Sequence, residues 1–122
     1  MKIEDIVKEV TPAGMDNLMI NKDDFLELMK EDKAVLLDIR MDFETKAWIL
    51  PMAINIPAPQ LVDRLNELPK EKLIVVGCPT SPRSIPIAVY LKTQGFKSKF
   101  LTGGLVEMMA VLKGGKAKEF FS

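Results

Sequence analysis

The 122 residues include seventeen Lys or Arg and seventeen Asp or Glu, so no basic surplus is available for a nucleic-acid face. The chain has no histidine and a single cysteine. That excludes Cys-His and Ser-His hydrolases in their usual form, a structural zinc site and an internal disulfide. No stretch approaches the roughly 18 apolar residues of a membrane span, and the acidic start Met1-Lys2-Ile3-Glu4-Asp5 does not resemble a signal peptide. The expectation is one cytoplasmic domain over residues 1–122, in a compartment where a free thiol persists.

In chain order, Ile3, Ile6, Val7 and Val10 have helical spacing, and Thr11-Pro12-Ala13-Gly14 breaks it. Residues 1–17 therefore read as a lead-in helix and turn that cover one end of the core. Leu18-Met19-Ile20 reads as a short edge strand. Asn21 is placed to cap a helix running to about Lys30, with Asp24 in capping-box position and Phe25, Leu28 and Met29 on one face. Ala34 to Asp38 form the next strand, and Ala53 to Ile56 another, closed by Pro57. Leu61, Leu65 and Leu68 mark a small helix over about 59–68, stopped by Pro69. A strand, loop and helix unit occupies 73–94, with Gly95 at its end, and Ser98 to Leu101 give a fifth strand. Gly103-Gly104 turns into a last helix carrying Leu105, Met108, Met109 and Leu112, which Gly114-Gly115 ends. Short apolar strands alternating with helices predict an α/β three-layer sandwich: about five mostly parallel strands with helices on both faces. Ligands of such sheets bind beyond the carboxyl ends of the strands.

One such end carries the cysteine. The run Leu73-Ile74-Val75-Val76-Gly77 reads as a buried strand, Cys78 follows it, and helical sequence begins immediately after Arg83. That order aims the thiol at a helix N-terminus, where unpaired N–H groups and the dipole favour an anionic sulfur. Arg83 acts in the same direction. The loop between them, Pro79-Thr80-Ser81-Pro82, is tight, and its two hydroxyls can donate to an anion. The plain alternative is a buried structural cysteine, since free cysteine is among the most buried residue types. The balance favours a reactive Cys78.

Four segments together resemble the rhodanese domain family over about residues 19–113. Asp38-Ile39-Arg40 followed by Glu44 resembles the family's Asp-Val-Arg, three residues, Glu. Leu50-Pro51-Met52-Ala53-Ile54-Asn55-Ile56-Pro57 resembles Ile-Pro-Gly-Ala-Ile-Asn-Ile-Pro. Cys78 to Ser84 resembles the active-site loop, and Gly95-Phe96 with Leu101-Thr102-Gly103-Gly104 resembles the closing motifs. The resemblance implies a rhodanese-type sulfurtransferase in which catalytic Cys78 carries a sulfane sulfur as a persulfide. Thr80, Ser81, Arg83 and Ser84 would bind the anionic sulfur, Pro79 and Pro82 would complete the loop, and Asp38 and Arg40 would be structural beside it. Neither a metal nor an organic cofactor is implied. The implied partners are thiosulfate or a protein persulfide as donor and a thiol as acceptor, with no nucleic acid and no membrane. Four residues separate Cys78 from Arg83, the sulfur-sized count in this family. Related phosphatases and arsenate reductases use a loop one residue longer, because residue number sets the radius of an N–H nest. A weakly active binding or regulatory module is the rival reading, and an oxyanion enzyme of the phosphatase or arsenate reductase kind is a second.

The departures from the family bear on substrate. Trp48-Ile49-Leu50 stands where Gly-His-Ile is usual, Met52 replaces the turn glycine, and Met108 replaces a common aromatic. Trp48, Met41, Met52 and Met108 are expected to pack in the core or its rim. Pro79 and Pro82 remove N–H donors, so of positions 79–83 only Thr80, Ser81 and Arg83 can donate. Thiosulfate is a small dianion whose capture depends on local donors and positive charge. A protein persulfide loses less, because the rest of its surface also contributes binding. Replacing Pro79 with Arg and Pro82 with Lys is therefore expected to raise kcat/KM for thiosulfate by about tenfold, roughly 1.4 kcal/mol. Unchanged or reduced turnover in a folded double variant would contradict that account of the loop.

Overall fold

The computed structural model describes residues 1–121. Its five strands are β1 (Met19–Ile20), β2 (Ala34–Asp38), β3 (Ile54–Asn55), β4 (Leu73–Gly77) and β5 (Ser98–Leu101), in sheet order β1-β5-β4-β2-β3. All pairings are parallel. The helices are α1 (Ile3–Val7), α2 (Lys22–Lys30), α3 (Asp42–Thr45), α4 (Ser84–Thr93), α5 (Gly104–Leu112) and α6 (Lys118–Phe121). The expected α/β architecture is the observed one.

Both sheet faces are covered, which is why the central strands are apolar almost throughout. On one face Leu37, Ile74, Val76 and Phe100 meet Ala88 and Leu91 of α4, together with Leu61 and Ile6. On the other, Leu36, Val75 and Leu101 meet Phe25 and Leu26 of α2 and Leu105, Met108 and Leu112 of α5. Asn21 caps α2 as expected, its side-chain oxygen accepting from the Asp24 amide at 2.8 Å. No helix among the described residues is long and apolar enough to cross a membrane.

Several boundaries differ from the sequence reading. The lead-in helix expected over Ile3 to Val10 ends at Val7, and only Ile6 is buried. Val7 and Val10 instead line an open apolar groove against Ile85 and Val89 of α4. The small helix expected near 59–68 is two 3₁₀ turns, Ala58–Asp63 and Leu65–Glu67. Pro57 and Pro59 remove early donors there, and Leu61 and Leu68 still reach the core. The strand at Ala53 to Ile56 is reduced to Ile54–Asn55. Helices α3 and α6 have four residues each, too few for a periodicity to show.

Register brings the functional end of the sheet together. Asp38 sits opposite Asn55 on one side and Gly77 on the other. The Ile39 amide then donates to the Gly77 carbonyl at 3.2 Å, so the chain leaving β2 runs beside Cys78. Asp38 and Arg40 are 0% and 1% exposed and satisfy one another. The Arg40 guanidinium donates through Nε at 3.0 and 3.1 Å and through Nη2 at 2.7 Å to the Asp38 carboxylate. The Arg40 amide adds a bond to the same carboxylate at 3.0 Å, and the guanidinium lies 4.0 Å from the Trp48 ring centroid. Asn55 Nδ2 donates to the carbonyls of Asp38 and Arg40 at 2.9 and 3.2 Å, tying β3 to this corner. Asp38→Ala would leave a buried guanidinium without its counter-ion, and chemical denaturation is expected to show a loss of about 3–5 kcal/mol.

Candidate active site

The loop from Cys78 to Arg83 lies between the end of β4 and the start of α4, and α5 holds it from the side. The Leu105 amide donates to the Cys78 carbonyl at 2.9 Å, and the Val106 amide donates to the Pro79 carbonyl at 3.2 Å. These are first-turn amides of α5, which have no acceptor within their own helix. The approach requires Gly104. Its φ is +72°, and a Cβ there would overlap the Thr80 carbonyl. Gly103, with φ +73°, makes the preceding half of the turn.

Within the loop, Ser84 is fully buried and turned inward. Its amide and its hydroxyl both donate to the Ser81 carbonyl, at 3.1 and 2.7 Å. Ser84 therefore spends both donors on closing the loop. The amides of Thr80, Ser81 and Arg83 have no protein acceptor among the described residues. These are the three that two prolines leave available. Cys78 is 1% exposed and packs with the α4-side core. Thr80, Pro82 and Arg83 are exposed, while Pro79 and Ser81 are half-buried.

Arg83 does not point freely at the cysteine. Its Nη1 and Nη2 donate to the two carboxylate oxygens of Glu44 at 2.8 and 2.7 Å, a bidentate pair linking residues 39 positions apart. The Glu44 carboxylate also accepts from the Met41 amide at 3.0 Å. The Arg83 hydrogen bonds, opposed by partial burial and helped by the Met41 amide, lower the Glu44 pKa from the usual 4.5 to about 2. Glu44 in turn raises the Arg83 pKa, with smaller contributions from Cys78 and Asp38. Glu44 is thus a site residue that loop reasoning alone missed. The only sequence signal for it was its place in the Asp38, Arg40, Glu44 pattern. Met108 is fully buried, while Met41, Trp48 and Met52 are half-buried at the rim.

The site is a lone cysteine at the carboxyl end of a parallel strand, in a six-residue loop closed by arginine. The comparisons make the assignment specific. The model of the rhodanese-like domain family matches residues 21–111, and the chain belongs to that family. It is 26% identical over 100 residues to YtwF of Bacillus subtilis, described as a candidate sulfurtransferase, covering 82% of this chain and 88% of that protein. A rhodanese-related protein of Thermoplasma volcanium superposes with a TM-score of 0.67 at 25% identity, covering 86% of this chain and 95% of the other. The reduced CoADR-RHD protein of Bacillus anthracis superposes with a TM-score of 0.69 at 30% identity, over 79% of this chain and 17% of that longer one.

The Glu44–Arg83 pair sets a pH dependence. Glu44 titrates lower in the folded chain than in the unfolded one. Its contribution is therefore complete above about pH 4.5 and lost as pH falls through about 2. Arg83 is half exposed, so the pair contributes under about 1 kcal/mol. Glu44→Gln is expected to lower the denaturation midpoint above pH 4.5, with the difference from wild type vanishing near pH 2. The same variant is expected to raise the alkylation rate of Cys78 severalfold at neutral pH, because it unties the loop. An alkylation rate equal to wild type would show that the pair does not hold the loop closed.

Proposed function

We propose that the chain is a sulfurtransferase that moves a sulfane sulfur from thiosulfate or a persulfide donor to a thiophilic acceptor through Cys78. The supporting observation is the loop itself. Cys78 follows β4, the amides of Thr80, Ser81 and Arg83 come next with no protein acceptor among the described residues, and Arg83 closes the turn. The Cys78 thiolate attacks the sulfane sulfur, a new S–S bond forms, and the donor departs with the electrons of the broken bond. An acceptor thiolate then takes the outer sulfur and returns Cys78 to its starting state. In this reading Thr80, Ser81 and Arg83 stabilise the persulfide anion, Ser84 fixes the turn, and Asp38 and Arg40 support the strand end. Residues 1–122 act as one domain, placed in the cytoplasm, where the thiol stays reduced.

A second reading, a rhodanese-like binding module with little catalysis, draws support from the 1% exposure of Cys78 and from the two loop prolines. Mass spectrometry after treatment with thiosulfate, and separately with a peptide persulfide, separates the two. The sulfurtransferase reading expects one added sulfur, located on Cys78, released by a thiol and absent in Cys78→Ser. No added sulfur from either donor would overturn it in favour of the binding module.

A further inference from the structure

The positive charge at the mouth of the loop is already committed. Arg83 is held by both carboxylate oxygens of Glu44, and positions 79–82 carry no charged side chain. An acidic side chain stands at the turn that meets the loop. A Cβ at Gly103 would fall on the Glu107 carboxylate, and a Cβ at the adjacent Gly104 would fall on the Thr80 carbonyl. Glu107 and the Thr80 carbonyl thus pack against adjacent residues of the double-glycine turn. Glu107 is exposed and has no salt-bridge partner among the described residues.

Neighbouring groups do not reverse the sign. Across α3, the loop and the first turns of α4 and α5, Lys46 and Arg83 stand against Asp42, Glu44 and Glu107, leaving one net negative charge. Close by, Arg64 pairs with Glu67, and Asp38 with Arg40. Apolar surface adjoins the charge. Phe43, beside Glu44, is 74% exposed, and Val106, whose amide holds Pro79, is 44% exposed.

We propose, resting on the sulfurtransferase reading above, that Glu107 is a specificity-determining residue that selects the donor by the charge beside its sulfur. The favoured donor is a protein persulfide on a cysteine with lysine or arginine neighbours, and small dianions are disfavoured. A dianion meets one net negative charge and only three amide donors. A protein cysteine with basic neighbours is attracted by the same charge, while its surrounding apolar surface covers Phe43 and Val106. The reaction is R–S–SH plus the Cys78 thiolate giving Cys78–S–SH plus R–S⁻. The bond between Sγ and the outer sulfur forms, the donor's S–S bond breaks, and the electron pair leaves on R–S⁻, which then takes a proton from solvent.

Two synthetic peptides test this, each carrying one cysteine persulfide, one flanked by lysines and the other by glutamates. Loading of Cys78 is followed at low salt and at about 0.5 M salt for wild type, Glu107→Gln and Glu107→Lys. Wild type is expected to load from the lysine peptide about tenfold faster than from the glutamate peptide at low salt, with the gap closing at high salt. Glu107→Gln should shrink the preference. Glu107→Lys should abolish or reverse it and raise kcat/KM for thiosulfate about fivefold. The near-isosteric Gln variant guards against a folding artefact in the Lys variant. Equal loading from both peptides in wild type, or an unchanged preference in the variants, would overturn the charge selection. Loading from neither peptide nor thiosulfate would instead overturn the sulfurtransferase reading beneath it.

Discussion

Everything distinctive about the loop depends on two hydrogen bonds that join it to another element. The amides of Leu105 and Val106 donate to the carbonyls of Cys78 and Pro79 at 2.9 and 3.2 Å. A helix start has amides to spare, and a strand end followed by a tight loop has carbonyls to spare. Docking α5 against the loop satisfies both, and it fixes the backbone direction leaving Cys78. The remaining amides at Thr80, Ser81 and Arg83 are then left without protein acceptors. Without Gly104 the two elements could not approach, because a Cβ there would collide with the Thr80 carbonyl, and Gly103, with φ +73°, makes the turn that brings it there. The double glycine therefore belongs to the site although neither residue has chemistry of its own.

Charge around the loop is arranged in closed pairs at two depths. Asp38 and Arg40 are buried and satisfy each other, with Trp48 under the guanidinium and Asn55 on the carbonyls. Their pairing fixes the corner where β2 leaves the sheet, and the Ile39 amide carries that geometry to Gly77, one residue before the thiol. Glu44 and Arg83 form the outer pair, partly in solvent, and link the short helix α3 to the end of the loop. The two pairs differ in consequence. Breaking the inner one strands a charge in a medium that cannot solvate it, whereas water replaces much of what the outer one supplies.

How much of this the sequence revealed follows from the range of each signal. The strand from Leu73 to Gly77, the Asn21 cap and the start of α4 after Arg83 are local, and periodicity or capping chemistry was enough to read them. The resemblance to the rhodanese family picked out Cys78 and, separately, the closing double glycine, but not that the two meet at one site. The commitment of Arg83 to Glu44 was not legible, because it joins residues far apart and depends on how α3 packs. The spending of both Ser84 donors on Ser81 was missed for a different reason. Composition shows that a serine can donate, but only backbone geometry shows where. At Val7 and Val10 the apolar spacing was correct and the burial was not, since the helix ends at Val7 and only Ile6 of the stripe enters the core.

The burial of Cys78 connects these static features to dynamics. A residue 1% exposed offers a reagent little surface, so reaction at Cys78 is expected to draw on a state in which the loop has opened. Three features hold the loop closed: the α5 amides at its start, the Ser84 bonds at its turn and the Glu44 pair at its end. Pro79 and Pro82 add to this by restricting the alternatives available to the open loop. The start and the turn are bound by buried or half-buried groups. The end is bound by a half-exposed ion pair, the weakest of the three. Opening is therefore cheapest at Arg83, the end of the loop that carries the cation. A donor whose basic neighbours compete for Glu44 would release Arg83, and with it the weakest of the three ties.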